Sequence, residues 1–271
     1  MRLIIPAAGS GIRLGGGGNP MPKLLVPISG RPIVSHLLRM VSATGAFSQI
    51  VIILGPYYES VLQTIQDLTS SIRWQTRTDI ICIRNSRHRA TNNIYSLYLA
   101  RDYLEGDILV HDSDVLVDPS LIIRLISKSA GDTCRVLLDR ISPIPEAETK
   151  AVVDTSDRVT QFGEDVTSNM ADGRYVGVCS LTSRASDAFR REVVTLVQQD
   201  EMNVFYTSAI KTLAGGGTVQ AVWAEGLPWF EIDTLEDLRS IGSKGEEITR
   251  KITTLRGGQA ARFMSSEGND T

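Results

Sequence analysis

The chain has 271 residues, 42% apolar, 22% charged and 6% aromatic, proportions that exclude wholesale disorder and leave ample length for a sizeable core. With 28 Lys plus Arg against 31 Asp plus Glu its formal charge is −3, so the basic footprint of a nucleic-acid binder is missing. The scattered Cys82, Cys134 and Cys179 suggest buried thiols in a reducing compartment, and no apolar run nears the ~20 residues of a membrane span, so a cytoplasmic protein without a membrane partner is expected.

Apolar runs without alternation at 3–6, 50–54, 80–83 and 108–110 predict buried parallel strands. Between them, 32–44 predicts a helix with Pro32 in its first turn and Gly45 as its stop, and 92–104 and 119–127 predict two more. From 134 the grammar changes. Strands are expected at 134–138, 151–154, 159–162 and 175–181, then helices at 185–199 and 204–214 and a strand at 219–224. The sum is an α/β fold: a Rossmann-like doubly wound mixed sheet with a β-rich, acceptor-side extension. One domain over 1–241 is expected, with a nucleotide-binding half at 1–130 and an acceptor-binding half at 131–241. The polar stretch 242–271 is expected to be a poorly ordered tail.

The first strand runs into a loop of small residues, Ala7, Ala8, Gly9, Ser10 and Gly11, followed by Arg13, four glycines at 15–18 and Lys23. Small residues leave peptide N–H groups open to a phosphate chain, and Arg13 and Lys23 supply countercharge. A dinucleotide fingerprint fails because Leu14 stands where a third glycine belongs, and a Walker A loop fails because Lys23 lies between Pro22 and Leu24. A solvated glycine turn is the competing reading. Asp112 and Asp114 follow the strand at 108–110, and Glu231 and Asp233 repeat the spacing. Such pairs suit Mg2+, which takes carboxylates together with substrate phosphates, although a turn or capping role is an equal alternative for each pair alone. His36, His88 and His111 read as packing or surface residues, and zinc is not expected.

Gly9-Ser-Gly-x-Arg13-Leu, then Pro22-Lys-Leu-Leu25 and Ile28-Ser-Gly-Arg-Pro32, resembles the signature of the sugar-phosphate nucleotidylyltransferase superfamily. Asn92-Asn-Ile-Tyr-Ser-Leu-Tyr98, His111-Asp-Ser-Asp114 and Phe230-Glu-Ile-Asp-Thr234 are similar to its bacterial phosphocholine cytidylyltransferase branch, which also holds enzymes for phosphonates and inositol phosphate. The resemblance spans 2–241. It implies transfer of CMP from CTP to a phosphonate or phosphate oxygen of a small metabolite, with pyrophosphate released. It also implies Asp114 and Asp233 as the metal pair with Glu231 in support, Asp112 nearer the ribose, and Asn85 and Ser96 near the cytosine and its ribose. Arg13, Lys23, Asp114 and Asp233 would then carry catalysis. An acceptor oxygen already anionic at neutral pH needs no general base, which suits a chain with three histidines. Tyr206 matches one wall of that branch's choline pocket, but where a Trp would stand the chain reads Glu148-Thr-Lys150-Ala, and a lysine there favours an anionic acceptor group. A sugar-1-phosphate enzyme using another nucleotide, a silent nucleotide-binding protein, and a homodimer are left open.

Overall fold

The computed structural model describes residues 1–14, 21–127, 133–140 and 144–254, the Arg13 side chain excepted. The first half runs β1 (Arg2–Ala7), a hairpin of β2 (Pro27–Ile28) and β3 (Arg31–Pro32), α1 (Ile33–Thr44), β4 (Gln49–Leu54), α2 (Tyr58–Ser71), β5 (Asp79–Arg84), α3 (Asn93–Leu99), β6 (Ile108–His111), β7 (Val115–Val117) and α4 (Pro119–Ile126). The second runs β8 (Cys134–Asp139), β9 (Lys150–Val153), β10 (Val159–Gly163), β11 (Gly173–Leu181), α5 (Ser183–Gln198), α6 (Thr207–Gly215), β12 (Val219–Trp223), β13 (Trp229–Glu231), α7 (Leu235–Ser240) and α8 (Gly242–Thr254).

Strands β5, β4, β1 and β6 lie side by side and parallel. Antiparallel β11 then joins β6 and carries β8 and β9 on its far side, with β12 beyond β8 and β10 beyond β9. A separate pair, β7 with β13, brings residues 115–117 against 229–231. The absence of alternation in β1 and β4 has a direct cause. Leu3, Ile5, Ile50 and Ile52 bury themselves in the layer shared with α1, while Ile4, Val51 and Ile53 bury themselves in the opposite layer with Ile94, Leu97 and Phe189. Among the described residues, no helix is long and apolar enough to cross a membrane.

Two expectations change. Pro32 precedes α1 in extended geometry instead of opening it. Part of the expected tail is α8, which buries Gly245, Ile248, Thr249 and Ile252 on one stripe against the α1 layer. Ile248 and Ile252 supply the apolar contacts one turn apart, and Lys251 pairs with the buried Asp118 at 2.5 Å. Residues 255–271 of that tail lie outside the described residues.

Candidate active site

The carboxyl ends of three of the four parallel strands, β1, β5 and β6, open on one crevice of about 670 Å³, the position at which open α/β sheets bind ligands. Ala8 and Gly9 follow β1, Asn85 follows β5, and Asp112, Ser113 and Asp114 follow β6; all line the crevice. Ala7 closes β1, and Ser10 and Gly11 continue the loop. Gly11 has φ +60°, and a Cβ there would lie 1.9 Å from the Met21 carbonyl oxygen, so only glycine fits this turn. Gly55, at the end of β4, has a comparable role: a Cβ would stand 2.2 Å from the Ala8 carbonyl oxygen. The glycines at 15–18 and the Arg13 side chain lie outside the described residues.

Asn85 and Ser96 are both buried and meet at 3.3 Å, while the Asn85 Oδ1 accepts from the Arg87 backbone N–H at 2.9 Å. Both side chains line the crevice.

Beside this end, Asp114, Glu231 and Asp233 each offer a carboxylate oxygen within 4.8 Å of the others. Asp114 meets the distant Glu231 and Asp233 because β13 pairs with β7, where Glu231 sits opposite Val115. A cluster of three carboxylates is the hard-oxygen donor set that suits a divalent cation, and it already accommodates positive charge: the Lys23 ammonium donates to both Asp114 and Asp233. Burial pulls the Lys23 pKa down, but the two carboxylates outweigh it and hold the amine above its ordinary value. The Glu231 carboxyl is pushed up to about 7, first by burial and then by the neighbouring Asp114 charge, with Arg174 opposing.

Asp112 does not join this cluster. It is half-buried and lies near the Tyr206 hydroxyl, which itself meets the Tyr175 hydroxyl at 3.0 Å. Burial first, then the Asp114 and Glu231 charges, hold its carboxyl well above the usual carboxylate range. Gly177 makes room for it: this β11 residue has φ +88°, and a Cβ would lie 2.7 Å from Asp112 Oδ2. A glycine inside a predicted strand was the available signal for that close approach. His111, buried behind Asp112, is pushed down to about 4 by desolvation and so is neutral near pH 7.

Glu148, Glu164, Tyr175, Phe205 and Tyr206 also line the crevice. Tyr206 is fully buried with its hydroxyl 3.0 Å from that of Tyr175. Lys150 corrects the expectation. It is fully buried, and its ammonium donates to the carbonyls of Glu146, Glu148 and Glu164 at 2.6, 2.8 and 3.2 Å, so its charge is absorbed by backbone instead of facing an acceptor. Sequence reasoning also missed Arg174, whose Nη2 meets Glu231 at 2.5 Å and whose Nε lies 3.1 Å from Glu148. Its guanidinium sits 4.8 Å over the Trp229 ring. The β9–β11 and β7–β13 pairings, both invisible in one dimension, bring these groups together.

Residues 1–165 match the family of 2-C-methyl-D-erythritol 4-phosphate cytidylyltransferase, IspD. The chain belongs to this family. Its members' chemistry fits a nucleoside triphosphate, a phospho-acceptor and a divalent cation, and the acidic triad could hold such a cation. Over 95% of its length the chain is 27% identical to the CMP-5'-(3-aminopropyl)phosphonate synthase of Streptomyces rubellomurinus, but it spans 41% of that protein. Two solved structures share the fold. The inositol-1-phosphate CTP transferase of T. maritima matches with a TM-score of 0.73 at 18% identity, covering 94% of this chain and 97% of the other. The CTP:phosphocholine cytidylyltransferase of Streptococcus pneumoniae matches at 0.72 and 19% identity, covering 89% and 97%. The doubly wound mixed sheet expected from the sequence is therefore this family's nucleotidyltransferase fold.

Proposed function

We propose that the protein transfers CMP from CTP to the phosphonate or phosphate oxygen of a small acceptor and releases pyrophosphate. The observation that carries this reading is the placement of Lys23 and the Asp114, Glu231, Asp233 triad in one crevice with the small-residue loop after β1. In this reading the acceptor oxygen forms a bond to the α-phosphorus of CTP, and the bond to the bridging oxygen of the pyrophosphate breaks in line with it. The electron pair and negative charge leave with pyrophosphate. Ala8 and Gly9 present backbone to the phosphates, and Lys23 neutralises charge on the transferring group. A bound Mg2+, held by Asp114 and Asp233 with Glu231 in support, would add charge neutralisation and alignment of the phosphates. Arg13 is assigned to the triphosphate as a second countercharge. Asn85 and Ser96 are assigned to the cytosine and ribose, and Asp112 to the ribose side.

The acceptor end is acidic and aromatic. Glu148 and Glu164 line it with Phe205 and Tyr175, and the Lys150 charge is held by backbone carbonyls. That chemistry supports an acceptor with an amine at the end remote from its phosphonate or phosphate, the class to which 3-aminopropylphosphonate belongs. Pyrophosphate release with the four common nucleoside triphosphates and a panel of 3-aminopropylphosphonate, phosphocholine and inositol 1-phosphate tests both parts. CTP with the aminophosphonate is expected to give the highest kcat/KM. Preference for another nucleotide overturns the cytidylyl assignment, and preference for inositol 1-phosphate overturns the amine.

A further inference from the structure

Lys150 is a long cationic side chain with no exposure, and burying an ammonium is costly unless its donors are satisfied. Here all three N–H groups have carbonyl partners, and the Glu146 carboxylate is 4.0 Å away. The partners belong to two separate segments. Glu146 and Glu148 precede β9, whereas Glu164 follows β10. The β9–β10 ladder ends at the Lys150–Gly163 pair, and beyond it an apolar side chain could fill the space but could not link the two segments by hydrogen bonds. Both segments also line the crevice, through Glu148 and Glu164. From Glu148 the connection continues through Arg174 to Glu231 of the acidic triad.

We propose that Lys150 is a positioning residue. By clipping the segment before β9 to the end of β10, it fixes the Glu148 and Glu164 carboxylates at the acceptor end, and so sets acceptor affinity without touching the acceptor. The inference rests on the transferase reading above for its kinetic consequence, and on the hydrogen bonds alone for the clip.

The test is Lys150→Met, which keeps length and removes the donors, in the full chain. Acceptor KM, measured with 3-aminopropylphosphonate, is expected to rise about tenfold or more, while CTP KM stays within about twofold. Amide hydrogen exchange is expected to quicken at residues 146–149 and 163–165 while β1 and β6 keep their protection. An unchanged acceptor KM in a folded variant overturns the proposal, because a merely structural lysine lowers the melting temperature alone. A raised acceptor KM with unchanged exchange also overturns it, in favour of direct contact. Lys150→Gln, which keeps two N–H donors on a shorter arm, carries the same measurements if Lys150→Met does not fold. Should the unaltered protein transfer no nucleotide, the functional reading fails, and the exchange pattern still decides the clip.

Discussion

Lys23 and Asp114 lie 91 residues apart in the chain and share a hydrogen-bonded ion pair at the centre of the crevice. The same ammonium reaches Asp233, so one cation holds two carboxylates of the triad together. A divalent cation and this ammonium therefore compete for the same oxygens. A triphosphate that draws Lys23 onto its own charge would free them. Lys23→Met is expected to lower kcat by about 10²–10³ with a smaller change in CTP KM, since the charge is needed most as the phosphoryl group transfers. The same variant is expected to bind Mn2+ more tightly than the unaltered protein when no nucleotide is present, measured by electron paramagnetic resonance. Weaker Mn2+ binding would show the lysine to be an organiser of the carboxylates and not their competitor.

Asp114→Asn and Asp233→Asn are each expected to reduce pyrophosphate release by about 10² or more while far-ultraviolet circular dichroism is retained. Chelation of divalent cations should do the same to the unaltered protein, reversibly on addition of Mg2+. Activity of either variant that persists in chelator would remove the triad from the mechanism.

Gly177→Ala tests the approach between β11 and Asp112. The left-handed backbone and the 2.7 Å gap to Asp112 Oδ2 both oppose a methyl group. A cost of about 1–3 kcal/mol is expected in urea unfolding. Because Asp112 must move, the loss of kcat/KM for CTP should exceed what the lost stability explains, when assayed well below the melting temperature.

The parallel strands and the glycine loop were legible because each is a local signal: an apolar run, or small residues at a strand end. The paired Asp112/Asp114 and Glu231/Asp233 spacings were legible too, but their division of labour was not. Spacing cannot say that Asp112 lies against Gly177 while Asp114 turns to Lys23. Lys150 was misread for a related reason. A lysine in a strand is expected to seek water or a ligand, and only the fold brings three backbone carbonyls to its tip. Arg174 gave no signal, because its partners lie at Glu148 and Glu231, on distant stretches of chain. Helix α8 was hidden by its composition, with two isoleucines on a polar background.

That helix has a measurable consequence. Ile248 is fully buried in the α1 layer, so Ile248→Ala is expected to cost about 2–5 kcal/mol in urea unfolding. Truncation before Gly242 should lower the melting temperature further, since it also removes the Lys251 partner of buried Asp118. A truncated protein as stable as the full chain would return this segment to the status of a tail.

Glu231 supplies a pH test whose sign can be worked out. Its carboxyl is pushed up to about 7 in the folded protein, from an ordinary value of 4.5, with burial the largest cause and Asp114 the next. Between those values the folded chain binds more protons than the unfolded chain, so this group's stabilising contribution is full below pH 4.5 and is lost as pH rises through about 7. Glu231→Gln mimics the protonated form and lacks that loss. The variant should therefore gain stability relative to the unaltered protein as urea unfolding is repeated from about pH 5 to about pH 8, with the difference levelling above the folded pKa. Asp112 shifts in the same direction but is present in both proteins, so it cancels in the comparison to the extent that the two carboxyls are uncoupled. A divalent cation favours the ionised carboxylate and should flatten the curve of the unaltered protein while changing that of Glu231→Gln less. Parallel curves for the two proteins across this range, with and without Mg2+, would mean that Glu231 titrates as an ordinary surface carboxylate and is not part of the half-buried triad.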